Sequence, residues 1–219
     1  MTHPLTPAQA WQTMLEGNTR FVAGTPHHPH QDVQRRHDLA AGQRPLATLF
    51  GCSDSRLSAE IIFDLGLGDL FVVRNAGQVP GESIIGSLEY AVYALEVPLL
   101  VVLAHDSCGA VAAAIDAVGE NPPVLPTHIW RTISPIVPSV HAAARQQGPG
   151  QPIDPSLVGR LHLAETIDSI LQSSEMITEA VSGGALGIVG VSYRLSEGTV
   201  VPHVIKGAGM NAFPESAIR

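Results

Sequence analysis

The sequence predicts an α/β fold: a mainly parallel four-stranded sheet with an extra edge strand, flanked by helices and preceded by a helical N-terminal arm. Four short, continuous apolar runs carry that expectation. Leu46–Phe50, Leu70–Val73, Leu99–Ala104 and Leu186–Val191 are rich in Val, Leu and Ile, as strands buried on both faces of a parallel sheet are. Helical patterns lie between them at Ser58–Leu65, Ser83–Leu95 and Ala110–Val118, with a longer helical region over Thr127–Val181. Such alternation of strand and helix implies right-handed crossovers. The apolar runs begin only at Pro45, which separates the arm from the core.

Taken in order, Thr6-Pro7-Ala8-Gln9 opens a helix, with Thr6 as N-cap, Pro7 at the first position and Gln9 at capping-box spacing. Trp11, Met14 and Leu15 recur at helical spacing, Phe21 and Val22 follow two turns on, and Gly24 stops the helix. Thr25–His30 holds two prolines and three histidines and reads as an extended connection. Gln31–Ala41 is a second helix, ended by Gly42. With few apolar residues of their own, these helices form an arm that packs on another surface, a second subunit being one candidate. In the core, Gly119–Pro126 and Gln146–Pro155 are Pro/Gly-rich loops. Ser196-Glu197-Gly198 is a turn and Val200-Val201 a short run, which together add an edge hairpin after the fourth strand. The whole, residues 1–219, reads as a single domain, with 1–44 the arm and 45–219 the core.

Composition narrows the function. At 219 residues with 45% hydrophobic and 15% charged side chains, the chain can bury a full core and is not disordered. A net charge of −8 with no basic cluster beyond Arg35-Arg36 argues against a nucleic-acid partner. The most apolar stretch, Ile84–Ala104, carries Glu89, Glu96 and Pro98 and is not a membrane span. The first residues lack a basic n-region followed by an apolar segment. Two cysteines do not make a disulfide-dependent secreted domain, and the expected location is cytoplasmic.

The chemistry gathers at two strand ends. Gly51-Cys52-Ser53-Asp54-Ser55-Arg56 follows the first apolar run, and His105-Asp106-Ser107-Cys108-Gly109 follows the third. In open α/β sheets the functional crevice lies beyond the carboxyl ends of the strands. Cys52 and Cys108 are open to three readings: one disulfide, two inert thiols, or a shared metal. His105 and Cys108, three apart in a tight turn, can grip one ion together, with Cys52 arriving from the neighbouring strand. Two thiolates and an imidazole suit zinc by softness and charge, and three protein ligands leave the fourth position for water. Asp54 is placed either to fill that position in a closed state or to pair bidentately with Arg56. Only the second arrangement leaves the metal free for water.

These residues resemble the signature of the β-class carbonic anhydrases, and in detail the actinobacterial members of that class. The likeness extends through Phe71-Val72-Val73-Arg74-Asn75-Ala76-Gly77 and Leu88-Glu89-Tyr90-Ala91-Val92, and more weakly through Ile188–Tyr193. The resemblance implies zinc held by Cys52, His105 and Cys108, and an Asp54–Arg56 dyad beside it. It implies a lyase in which zinc-bound hydroxide hydrates carbon dioxide to bicarbonate and a proton, the dyad being catalytic. It assigns Gln43, Phe71, Tyr90 and the backbone amide of Gly109 to substrate binding, with the cleft walls partly from a second subunit, so that the active unit is a homodimer or homotetramer. Members regulated by bicarbonate have a tryptophan three residues before the first cysteine ligand. Here that residue is Leu49, beside family-matching Arg74 and Tyr193, which argues against that regulation. The intact dyad also implies that Asp54 closes on zinc at low pH.

Three rival functions use the same residues: hydrolysis of carbon disulfide or carbonyl sulfide on the same zinc, a non-catalytic zinc or bicarbonate-binding protein, and dithiol redox chemistry. His27, His28 and His30 read as solvated rather than as a second metal site. His128, His141 and His162 have no partner at ligand spacing and are expected on helix faces.

Overall fold

The computed structural model describes residues 5–210. Its elements run α1 (Pro7–Val22), α2 (Val33–Asp38), β1 (Ala47–Cys52), α3 (Ala59–Ile62), β2 (Leu70–Asn75), α4 (Glu82–Tyr93), β3 (Leu99–His105), α5 (Gly109–Asp116), α6 (Thr127–Ile133), α7 (Val137–Gln147), α8 (Pro155–Ser173), α9 (Glu175–Ser182), β4 (Gly187–Tyr193) and β5 (Val200–Lys206). The five strands form one sheet in the order β2-β1-β3-β4-β5. The first four are mutually parallel and β5 pairs antiparallel with β4, with an irregularity at Gly190/Val191. The parallel sheet with its edge hairpin is therefore as expected from the apolar runs.

Side chains alternate across the sheet with the period of two that a strand imposes. Leu49, Val101, Val189 and Val191 face α1 and α3, sharing a cluster with Trp11, Met14, Ile62 and Phe63. Phe50, Leu100, Val102 and Ile188 face the other way, into a cluster with Leu88 of α4, Ile167 and Ile170 of α8 and Ile177 of α9. β1 and β3 are buried at every position, which explains why they read as continuous apolar runs rather than alternating ones.

The N-terminal helix differs from the expected arm in where it packs. The capping box forms, with Thr6 Oγ1 accepting from Gln9 N–H and Gln9 Oε1 accepting from Thr6 N–H at 2.9 Å. Trp11 and Met14 are fully buried on this chain's own core. At Gly17 the helix crosses so closely that an added Cβ would stand 1.8 Å from Phe63 O. Two large apolar residues at helical spacing suffice to seat α1. Helix α2, continued by a 3-10 turn over Leu39–Ala41, buries none of its residues. Two carboxylates fasten the segment between them. Asp64 accepts from the His27 and His28 amides and from Arg20 Nε, and Asp69 takes His30 Nδ1 and Arg35.

The helical region over 127–181 is four helices. Pro135 and Pro138 break it early, Gly148 and Gly150 at positive φ open the loop before α8, and Ser174 divides α8 from α9. Ser174 Oγ accepts from Ile177 N–H, capping α9, and donates to Glu89 Oε1 at 2.7 Å.

Candidate metal centre

β1 and β3 lie side by side, with Gly51 opposite Leu103. Their last residues, Cys52 and His105, thus reach the same end of the sheet. β2 lies on one side of this pair and β4 on the other, so the site sits where the strand order reverses. After His105 the chain turns through Ser107 at φ +50° and places Cys108 as the N-cap of α5. The ligating atoms of Cys52, His105 and Cys108 all lie within 4.8 Å of one another, and all three residues are buried.

The donor set fits a metal. His105 Nδ1 is 2.7 Å from Asp106 O, which fixes a proton on Nδ1 and leaves the Nε2 lone pair facing the cluster. His105 Nε2 is buried with no hydrogen-bond partner among the described residues, a costly arrangement unless an ion receives it. Both cysteines are free. The Cys108 thiol beside it, with His105 and the Gly77 amide, pulls Cys52 well below the usual thiol range against the opposing effect of burial. The thiolate beside Cys108, and burial, push that thiol up. Among the described residues this is the one group of three or more His, Cys, Asp or Glu donors placed to share an ion.

Asp54 is turned away from the cluster onto Arg56. Arg56 Nε donates to Oδ1 at 2.8 Å and its Nη2 to Oδ2 at 2.6 Å, and the Arg56 amide adds a third bond to Oδ1 at 2.9 Å. The Arg56 guanidinium holds the Asp54 carboxyl well below the usual carboxylate range. Asp54 Oδ2 remains 3.9 Å from His105 Nε2, close enough to face whatever the cluster holds. Arg56 Nη2 also reaches Ser107 O at 3.2 Å, tying the two ligand-bearing turns together.

Within one chain Gly109 stands next to Cys108, and Gln43, Phe71 and Tyr90 are not gathered here. Gln43 is exposed and comes before the start of β1, whereas Cys52 ends that six-residue strand, a span of about 17 Å. Phe71 pairs with Thr48, four positions down β2 from the residue opposite Cys52, and packs against the cluster of Phe50, Val73 and Leu88. Tyr90, about half exposed, lies against it with ring centroids 5.9 Å apart. Gly109 opens α5, exposed, with open space where a Cβ would stand. Leu49 is packed in the core and Tyr193 is 5% exposed. A cavity of about 420 Å³ is lined by the His105–Cys108 turn itself together with Arg160, Arg194, Glu197 and His203, and neither Cys52 nor Asp54 lines it.

Three contributors to the site lie outside the sequence expectation. Arg74 Nε donates to Cys52 O at 2.9 Å and its Nη2 to Asp54 O at 2.6 Å, so it holds the Cys52–Asp54 turn. Gly77 N–H donates to Cys52 Sγ at 3.3 Å. His162 lies on a helix face as expected, the buried face of α8, where it contacts Gly77 O. Arg74 and Gly77 both stand in the stretch that resembles the family; His162 has no sequence signal of its own.

Fold and site together define an α/β protein with a candidate metal centre: a Cys₂His cluster at the switch point of a mainly parallel sheet, with a carboxylate–guanidinium pair beside it. The carbonic anhydrase family matches residues 47–200, and the chain belongs to the β-class of that family. It is 49% identical over 196 residues to carbonic anhydrase 2 of Mycobacterium tuberculosis, covering 89% of this chain and 92% of that protein. It is 45% identical over 195 residues to a carbonic anhydrase of Mycolicibacterium smegmatis, covering 89% and 92%. These relatives match the actinobacterial character read from the sequence. Among solved structures it resembles the β-carbonic anhydrase CafA of Aspergillus fumigatus, with a TM-score of 0.68 and 25% identity over 94% of each chain. A chain from the crystal structures of two tetrameric β-carbonic anhydrases of Sordaria macrospora shares the fold, with a TM-score of 0.70 and 23% identity over 90% of this chain and 98% of that one.

Proposed function

We propose that this chain reversibly hydrates carbon dioxide to bicarbonate and a proton, using zinc held by Cys52, His105 and Cys108. The observation that carries the reading is the buried Cys₂His cluster with the Asp54–Arg56 pair beside it, in a chain of this family. Zinc supplies a Lewis acid that lets water act as a nucleophile near neutral pH. Asp54, kept ionised by Arg56, would accept a hydrogen bond from the attacking water through Oδ2 and so orient that water toward the substrate carbon. Arg56 holds Asp54 in place and off the metal. The Gly109 amide, at the first turn of α5, donates to the developing carboxylate oxygens.

Gln43, Phe71 and Tyr90 serve a site only across an interface, because each lies away from its own cluster. The half-buried Phe71 with exposed Tyr90 against it supports a homodimer as the least active unit, with a homotetramer built from it. The whole chain acts as one domain, in the cytoplasm; no helix among the described residues is long and apolar enough to cross a membrane.

Stopped-flow hydration of carbon dioxide by the zinc-loaded protein and its Asp54→Asn variant tests this. The parent turns over rapidly, and the variant loses about 100-fold or more, the scale of a positioned proton acceptor, with zinc content unchanged. Undetectable hydration by the fully zinc-loaded parent, or full activity in Asp54→Asn, overturns the reading.

A further inference from the structure

Helix α8 runs behind the loop that follows β2 and presents two buried polar side chains to it, one turn apart. His162 is 2% exposed and Thr166 1%. His162 Nε2 lies 2.8 Å from Gly77 O, and Thr166 Oγ1 donates to Gln78 O at 3.4 Å. A carbonyl oxygen only accepts, so Nε2 carries the proton. His162 Nδ1 has no hydrogen-bond partner among the described residues, and burial holds the ring below the usual histidine pKa. His162 is thus a neutral Nε2–H donor with a single task.

We propose that His162 is a positioning residue for the metal centre: by anchoring Gly77 O, it keeps Gly77 N–H on Cys52 Sγ. This rests on the proposed zinc ligation. The two hydrogen bonds belong to different peptide groups, hinged at Gly77 Cα, so the effect is geometric and does not run through one polarised amide. Gly77 sits at φ +80°, and an added Cβ would stand 2.8 Å from Ala110 Cβ, so the position takes glycine. Glycine is also the residue with the softest torsions, and here it delivers the amide that a ligand thiolate receives. Asn75 brackets the loop through Val79, donating to its carbonyl at 2.6 Å and accepting from its amide at 3.0 Å. It makes no such bond to Gly77. His162 supplies that restraint from a distant part of the sequence.

An amide hydrogen bond withdraws charge from a thiolate, so losing it makes Cys52 a stronger electron donor. The cobalt(II)-substituted protein reports this through its thiolate-to-cobalt charge-transfer band. His162→Leu is expected to move the band to longer wavelength and to weaken zinc retention against a chelator by about 10-fold or more, as loss of an outer-shell contact does. His162→Gln, which keeps an amide donor at the same reach, restores both. Thr166→Val, which removes the neighbouring contact, leaves the band in place. An unshifted band with parental zinc retention in folded His162→Leu overturns the proposal, as does an equal shift in Thr166→Val. Absence of any thiolate band in the parent overturns the ligation reading instead. Nitrogen-15 NMR of the parent zinc protein decides the matter if His162→Leu does not fold. A neutral Nε2–H ring at pH 7 supports the proposal, and an Nδ1–H or protonated ring refutes it.

Discussion

Asn18 offers the sharpest test of how the N-terminal helix is joined to the rest. Its side chain is buried, 6% exposed, and joins three separate elements. Nδ2 donates to Ile62 O at 3.1 Å and to Gly198 O at 2.8 Å, and Oδ1 accepts from Val200 N–H at 3.1 Å. Asn18→Ala removes all three bonds and strands two carbonyls and one amide. Each stranded group costs about 1–3 kcal/mol, and carbonyls fall at the lower end because they have two lone pairs to satisfy. The sum is about 3–5 kcal/mol, a large share of the roughly 5–15 kcal/mol that holds a domain together. With a urea slope of about 2–3 kcal/mol per molar, the midpoint falls by about 1.5 M. The assay is urea unfolding followed by far-ultraviolet circular dichroism, at one protein concentration and with zinc saturating, because oligomers and metals both shift the apparent midpoint. Asn18→Asp fares no better at neutral pH, since it sets a carboxylate oxygen against two carbonyls. A midpoint shift below about 0.3 M in Asn18→Ala, under 1 kcal/mol on the same slope, refutes the account of α1 as an integral part of this chain's core.

Other outcomes follow from the same geometry. Burial alone raises the Asp64 pKa, but the His27 and His28 amides and Arg20 more than reverse it, so the folded value lies below the unfolded one. Ionised Asp64 therefore stabilises the fold above about pH 4, and that stability is lost as the pH falls through the folded value. The gap in urea midpoint between the parent and Asp64→Asn is accordingly wide at pH 7 and narrows toward pH 3; a gap of constant width contradicts this. Gly77→Ala forces a left-handed alanine, at about 1–2 kcal/mol, and drives its Cβ onto Ala110. It lowers the melting temperature and speeds zinc loss to a chelator, both checked on the same preparation. Stripping zinc from the parent leaves His105 Nε2 and two thiols buried together. The melting temperature then falls and recovers on adding zinc back, whereas a chelator-insensitive melt argues against a bound ion.

The sheet was legible because buried parallel strands announce themselves. β1 and β3 are apolar at nearly every position, and each ends in a residue, Cys52 or His105, that a core would not choose. The spacing of His105 and Cys108 gave the metal reading, and Asp54–Arg56 stood in the same hexapeptide as Cys52. What escaped was long-range. Trp11 and Met14 mark α1 as amphipathic, but which surface receives them depends on the close crossing at Gly17 over Phe63. The Arg74 bonds to Cys52 O and Asp54 O are backbone contacts, which leave no residue pairing to read. His162 meets Gly77 across 85 positions of sequence, and a lone histidine in a helix carries no periodicity that separates an exposed position from a buried one. The shrinkage of the helix expected at Ser58–Leu65 to Ala59–Ile62 reflects Asp64, whose positive φ and buried carboxylate turn the chain toward β2.

X-ray absorption at the zinc edge of the purified protein, with the metal content measured on the same sample, tests the central claim most directly. The expected result is one zinc per chain with two sulfur ligands at about 2.3 Å and nitrogen or oxygen ligands at about 2.0–2.1 Å. A shell without sulfur, a shell of four sulfurs, or a protein that takes up no zinc contradicts it.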